Sequence, residues 1–155
     1  MKVRDVMTTA VVTADPETSV NLVARLMAGR DISGIPVVEE GRVVGIVTEL
    51  DLIVRNTRLK PPAFFALLDA RIPLETPGQY QERLRHMLGT HARDVMTEDV
   101  VSIGPDEELE TLAELMVKRR VNPLPVIEDG TLVGIVSRSD IIGMMARDLD
   151  AEDDG

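Results

Sequence analysis

The chain has 155 residues, enough to bury a core within one folded unit. Apolar residues make up 44% of it but aromatic residues only 2%, so the core is aliphatic and a base-stacking platform for single-stranded nucleic acid is not expected. A formal net charge of −10 repels phosphate backbones and anionic membranes, and with no cysteine there is neither a disulfide frame nor thiolate chemistry.

Met1 to Asp5 carry no apolar signal region, and no apolar run reaches the ~18–20 residues that span a bilayer. A soluble cytoplasmic protein is expected, with no membrane or nucleic-acid partner.

From the N-terminus, Val11 to Thr13 read as a short strand. Asp15-Pro16 reads as an N-cap followed by proline at the first helical position. Val20, Val23, Ala24 and Met27 then follow at helical spacing on one face. Pro36 to Glu39 and Arg42 to Val47 read as strands joined by a tight turn at Glu40-Gly41, and a second helix follows. The strand runs are nearly all apolar, which predicts burial on both faces.

The same order then recurs. Arg4-Asp5-Val6-Met7-Thr8 returns as Arg93-Asp94-Val95-Met96-Thr97, Pro36-Val37 as Pro125-Val126, Val44 to Val47 as Val133 to Val136, and Asp51 as Asp140. Every pair stands 89 residues apart, without a gap from Val3 to Ile53. The second copy predicts a strand at Val100 to Ile103, an apolar helix face of Leu109, Leu112, Ala113 and Met116, and strands Pro125 to Glu128 and Thr131 to Val136. The fold class is α/β (α+β). Two β-α-β-β-α repeats close over each other's sheets with pseudo-two-fold symmetry, leaving related clefts between them. The expected parts are residues 1–56 and 92–147 as repeats, 57–91 as an insert with short helices, and 148–155 as a fraying acidic tail.

Within the insert, Lys60-Pro61-Pro62 breaks the preceding helix, and Ala63 to Ala70 is short and apolar. Gln79 to Leu88 reads as a helix. The segment is either an ordered excursion packed on the module or a dimerisation or partner surface using Phe64 and Phe65.

The chemistry-bearing motif is Gly45-Ile46-Val47-Thr48-Glu49-Leu50-Asp51, with its copy Gly134-Ile135-Val136-Ser137-Arg138-Ser139-Asp140. A strand ends at a hydroxyl, and a carboxylate follows three residues later at a helix start. Two readings stand. One is a helix cap, with the acidic group favouring the positive end of the dipole. The other is a ligand site: free N–H groups for phosphate, a carboxylate for vicinal ribose hydroxyls, and glycines that let the ligand reach the backbone.

The paired pattern resembles tandem cystathionine-β-synthase (CBS) domains, the CBS pair or Bateman module, over residues 3–53 and 92–142. Asp5-Val6-Met7-Thr8, Ser33 to Val38, Gly41, Gly45 through Asp51 and their second copies carry the likeness. The resemblance implies an adenosine ligand, AMP, ADP, ATP or S-adenosylmethionine, in clefts between the repeats. It implies ribose and phosphate contacts at Gly45, Thr48 and Asp51 and at Gly134, Ser137 and Asp140. It adds a first-strand hydroxyl at Thr13 and Ser102. The base pocket it implies lies in the loops Ser33 to Val37 and Asn122 to Val126, among them Ile35, Pro36, Val37, Leu124, Pro125 and Val126. It also implies a disc-shaped homodimer.

Two departures bear on affinity. Pro123 stiffens the second loop and removes an N–H. Arg138 offers a phosphate partner where the first copy has Glu49. The Asp140 site is therefore expected to prefer a phosphorylated ligand, and the Asp51 site to take neutral adenosine or stay empty. His86 and His91 fit no catalytic or metal pattern, and no P-loop or zinc signature occurs. A regulatory sensor acting on a separate effector protein is expected, not an enzyme, the alternative being a ligand-free adaptor.

Overall fold

The computed structural model describes residues 1–56, 64–67, 70–73, 76–79, 81 and 90–153. The first half runs α1 (Val3–Val6), α2 (Val20–Arg30), β1 (Gly34–Glu39), β2 (Arg42–Thr48) and α3 (Glu49–Asn56), then β3 (Phe64–Leu67) and β4 (Ala70–Pro73). The second runs α4 (Ala92–Val95), α5 (Leu109–Arg119), β5 (Leu124–Glu128), β6 (Thr131–Val136) and α6 (Arg138–Asp153).

Turn chemistry makes the two main hairpins. Glu40 and Gly41 take φ of 51° and 79°, and Asp129 and Gly130 take 51° and 78°. Two successive positive φ values give the turn whose twist matches antiparallel strands. The β1–β2 and β5–β6 ladders are antiparallel, and each shifts register at the same place, Val37/Val38 and Val126/Ile127.

The repeats exchange their opening segments. One core joins Val20, Val23, Ile35, Val37 and Val47 of the first repeat to Ala92, Val95 and Met96 of the second. The other joins Leu109, Leu112, Leu124, Val126 and Val136 to Val3 of the first. Thr8 forms an antiparallel bridge with Ile135, and Thr97 with Ile46, so each opening segment covers an edge of the opposite hairpin. Salt bridges follow the same exchange, Arg4 to Asp106 at 2.8 Å and Arg93 to Glu17.

The pseudo-two-fold axis passes between the loops that lead into β1 and β5, because residues there meet their own counterparts. Asn122 Nδ2 donates to Ser33 Oγ at 3.4 Å. A Cβ placed on Gly34 would come within 2.6 Å of Pro123 Cδ. Pro123 thus fills the space that Gly34 leaves empty.

Four expectations are corrected. The strands at Val11 to Thr13 and Val100 to Ile103 shrink to single parallel bridges, Ala14 with Val37 and Ile103 with Val126. Asp15-Pro16 forms a turn, closed by Asp15 Oδ1 accepting the Glu17 N–H at 2.8 Å, and α2 starts later under the Ser19 cap. Part of the insert is an antiparallel hairpin, β3 with β4, in keeping with the strand preference of its Phe and Ile residues. Residues 148–153 prolong α6 instead of fraying. The Gln79 to Leu88 helix and the role of the insert fall largely outside the described residues. No helix among the described residues is long and apolar enough to cross a membrane.

Candidate ligand-binding cleft

Each motif carboxylate turns back over the first turn of its own helix. Asp140 Oδ2 accepts from the Ser137 N–H at 2.7 Å and the Ser137 hydroxyl at 3.0 Å. Asp51 Oδ2 accepts from the Thr48 N–H at 2.9 Å and the Thr48 hydroxyl at 3.1 Å. These are caps that satisfy helix-end donors. A carboxylate offers about four acceptor positions, so capping leaves capacity to spare.

The two copies use that capacity differently. The Thr97 hydroxyl lies 3.2 Å from Asp51 Oδ1 and 3.4 Å from Oδ2, donating across the repeat boundary. Thr8, the counterpart of Thr97, pairs its backbone with Ile135 at 2.9 Å in the same way. Its hydroxyl makes no bond to Asp140, and Asp140 Oδ1 accepts nothing from the described residues.

Asp140 borders a cavity of about 440 Å³, a size that suits a small ligand. The first repeat contributes Thr8, Ala10 to Val12, Asp31 to Gly34 and Glu49; the second contributes Asn122, Pro123, Ile135 and Ser137 to Asp140. Asn122 fixes part of this wall, accepting the Arg138 N–H on Oδ1 at 2.9 Å. Among the described residues the Arg138 guanidinium has no ion-pair partner.

Of the sequence-predicted residues, Ser137, Arg138 and Asp140 meet on this cavity wall. Thr48 and Asp51 occupy the related position that Thr97 covers. Of the loops assigned to the base pocket, Ser33 to Val37 and Asn122 to Val126, only the first two residues of each reach the cavity wall. Ile35, Pro36, Val37, Leu124, Pro125 and Val126 are buried in the cores, and the wall is built from the two residues before each set, Ser33-Gly34 and Asn122-Pro123. Hairpins covered on both faces leave these strand side chains no route to the cleft. Thr13 and Ser102 are exposed and off the wall; the nearby Ala10 to Val12 line it instead.

Gly45 and Gly134 are also corrected. A Cβ on Gly45 would collide with Met96 Sδ, and one on Gly134 would meet Met7 Sδ at 2.6 Å. The close approach they permit is made by methionines of the opposite repeat. Glu49 was expected in the Asp51 cleft alone, yet it lines the same cavity as Arg138, because both open their helices beside the axis. Sequence reasoning missed Thr8, Ala10 to Val12, Asp31, Ile32, Ile135 and Ser139 as wall residues. Their placement depends on the exchange between repeats, which no local pattern encodes.

The CBS domain family model matches residues 3–55 and 92–147. The chain is 34% identical over 153 residues to the uncharacterized protein MJ1426 of Methanocaldococcus jannaschii, covering 92% of this chain and 89% of that one. Among solved structures it resembles CBSX2 in complex with AMP, with a TM-score of 0.76 at 22% identity over 94% of this chain and 97% of that one. It also resembles the CBS domain pair of MJ0100 in complex with 5-methylthioadenosine and S-adenosyl-L-methionine, with a TM-score of 0.70 at 22% identity over 96% and 98% of the two chains. At these identities the two structures speak for the fold alone. The chain belongs to the CBS domain family and carries two copies of the domain.

Proposed function

We propose that the chain is a regulatory module that binds one adenosine-containing ligand in the cleft at Ser137 and Asp140. The observation that carries this is the Asp140 carboxylate oxygen on a cavity wall that accepts nothing from the described residues, beside a helix N-terminus and an Arg138 with no ion-pair partner among them. A carboxylate so placed accepts hydrogen bonds from two vicinal ribose hydroxyls. Val11, Val12, Ile32 and Ile135 supply an apolar seat for the base. CBSX2 with AMP and MJ0100 with its two adenosine compounds support the ligand class. At Asp51 the Thr97 hydroxyl stands where a ribose hydroxyl would bind, so a single occupied cleft is the reading.

Output passes to an effector through a change in repeat tilt or homodimer geometry, because a ligand shifts only an equilibrium whose two states it binds unequally. Leu50 and Val54 on α3, and Val117 and Ile142 on α5 and α6, are exposed apolar side chains for such a dimer to bury.

Isothermal titration with AMP, ADP, ATP and S-adenosylmethionine tests the site. Binding of one ligand per chain, abolished by Asp140→Ala and little changed by Asp51→Ala, is expected. Equal loss in both variants defeats the single-cleft reading. The carboxylate caps in both copies favour the second reading, a ligand-free adaptor, and absence of heat or thermal stabilisation with every ligand would establish that instead.

A further inference from the structure

The two repeats carry opposite charges at matching places. Met27, Leu52 and Ile53 of the first have Met116, Ile141 and Ile142 as counterparts in the second, so the apolar pattern of the helices is kept. The charges are inverted: Asp31 stands where the second repeat has Arg120, and Glu49 where it has Arg138. Asp31 and Arg120 both close their first helix, with φ of 51° and 53°, while Glu49 and Arg138 both open the second. Arg120 and Arg138 border a groove of about 400 Å³ over Met116, Val121 and Ile141, which no acidic residue lines among the described residues. All four charged residues are exposed, and none has an ion-pair partner among the described residues. Leu50 and Ile53 on α3, and Val117 and Ile142 at the groove, are exposed apolar side chains.

We infer that the chain pairs with a second copy head to tail, the α2–α3 face of each copy lying on the α5–α6 face of the other. Asp31 and Glu49 then meet Arg120 and Arg138 of the second copy, and two-fold symmetry makes this contact twice. A head-to-head pair would set two carboxylates against two carboxylates and two guanidiniums against two guanidiniums, which like-charge repulsion disfavours. The requirement is sharper because a net charge of −10 makes two copies repel overall, so the arginine groove is where attraction is available. This rests on the homodimer proposed above and adds its orientation. Asp31, Glu49 and Arg138 also line the cleft at Asp140, so this arrangement sets the interface against the ligand site.

The test is sedimentation equilibrium on the wild type, on Asp31→Arg with Glu49→Arg, on Arg120→Asp with Arg138→Glu, and on all four changes together. Each incoming residue is the one that the other repeat carries at that place, so the backbone accepts it, and unchanged thermal melts verify folding. The wild type should dimerise. Each double variant should dimerise roughly tenfold to hundredfold more weakly, the scale of four exposed pairs turned repulsive, and the four-site variant should regain wild-type affinity. Asp31→Arg with Glu49→Arg is the most telling, because it lowers the overall repulsion between copies and should still weaken the dimer. A head-to-head pair would be unchanged or tightened by that variant, and this result overturns the orientation while keeping the homodimer. A wild type that stays monomeric overturns the orientation and the homodimer together. Adenosine binding is read separately by titration, so its failure is distinguishable from either.

Discussion

Asp94 shows how much a single side chain does at the repeat boundary. Partial burial pushes its carboxyl up, but the His91 and Thr90 N–H groups and the charges of Arg93 and His91 outweigh this, so its pKa falls below the ordinary Asp value. The N–H groups lie 3.0 and 3.3 Å away. A depressed pKa contributes stability that is fully present above the ordinary Asp value and is lost as pH falls from there through the folded value. Asp94→Asn should therefore melt at lower temperature than the wild type at neutral pH, with the gap closing as the solution is acidified through that window. A gap that does not change with pH would mean that the charge is irrelevant. Gly45 and Gly134 act in the opposite sense, by having no side chain, so that Met96 and Met7 can lie against the backbone.

At the scale of elements, the exchange of α1 and α4 is the main structural fact. Val3 is fully buried in the core of the second repeat, more than one hundred residues away along the chain. Val3→Ala removes two methyl groups from that core and leaves a small cavity. It should cost about 2 kcal/mol in denaturant unfolding, in one cooperative transition. Two transitions, with only one shifted, would mean that the repeats are stabilised separately. The hairpins were readable from the sequence because Glu40-Gly41 and Asp129-Gly130 specify their turn locally. The helix faces were readable from Val20, Val23 and Met27 and their counterparts. The exchange was not, because Asp-Val-Met-Thr carries no mark of which repeat it enters. The same gap hides how deeply part of the base-pocket loops is buried. Ile35 to Val37 read as loop-side residues until the hairpin is seen to be covered on both faces.

For the whole molecule, the axis explains why the two copies diverge where they do. Residues on an axis meet their own counterparts, and two identical bulky side chains there would collide. Gly34 with Pro123 and Ser33 with Asn122 resolve this by pairing small with large. The clefts are unequal as well, because the Thr97 hydroxyl bonds Asp51 whereas the Thr8 hydroxyl makes no bond to Asp140. The repeat itself was legible from the constant 89-residue spacing, and so were Ser137, Arg138 and Asp140. The inequality was legible only in part, because Thr97 reaching Asp51 and Glu49 joining Arg138 require both repeats in place. The apolar side chains left outside, Val117 at 77% and Ile142 at 63% exposed, account for the proposed homodimer. Ile142→Asp should convert a dimer to a monomer in sedimentation velocity, and an unchanged sedimentation coefficient would place any dimer contact elsewhere.

The most direct measurement is a crystal structure of the chain grown with saturating S-adenosylmethionine. One ligand per chain is expected, its ribose hydroxyls on Asp140 and its base against Val12 and Ile32, with Thr97 still bonded to Asp51. A ligand at Asp51, or an empty Asp140 cleft at saturation, would contradict it.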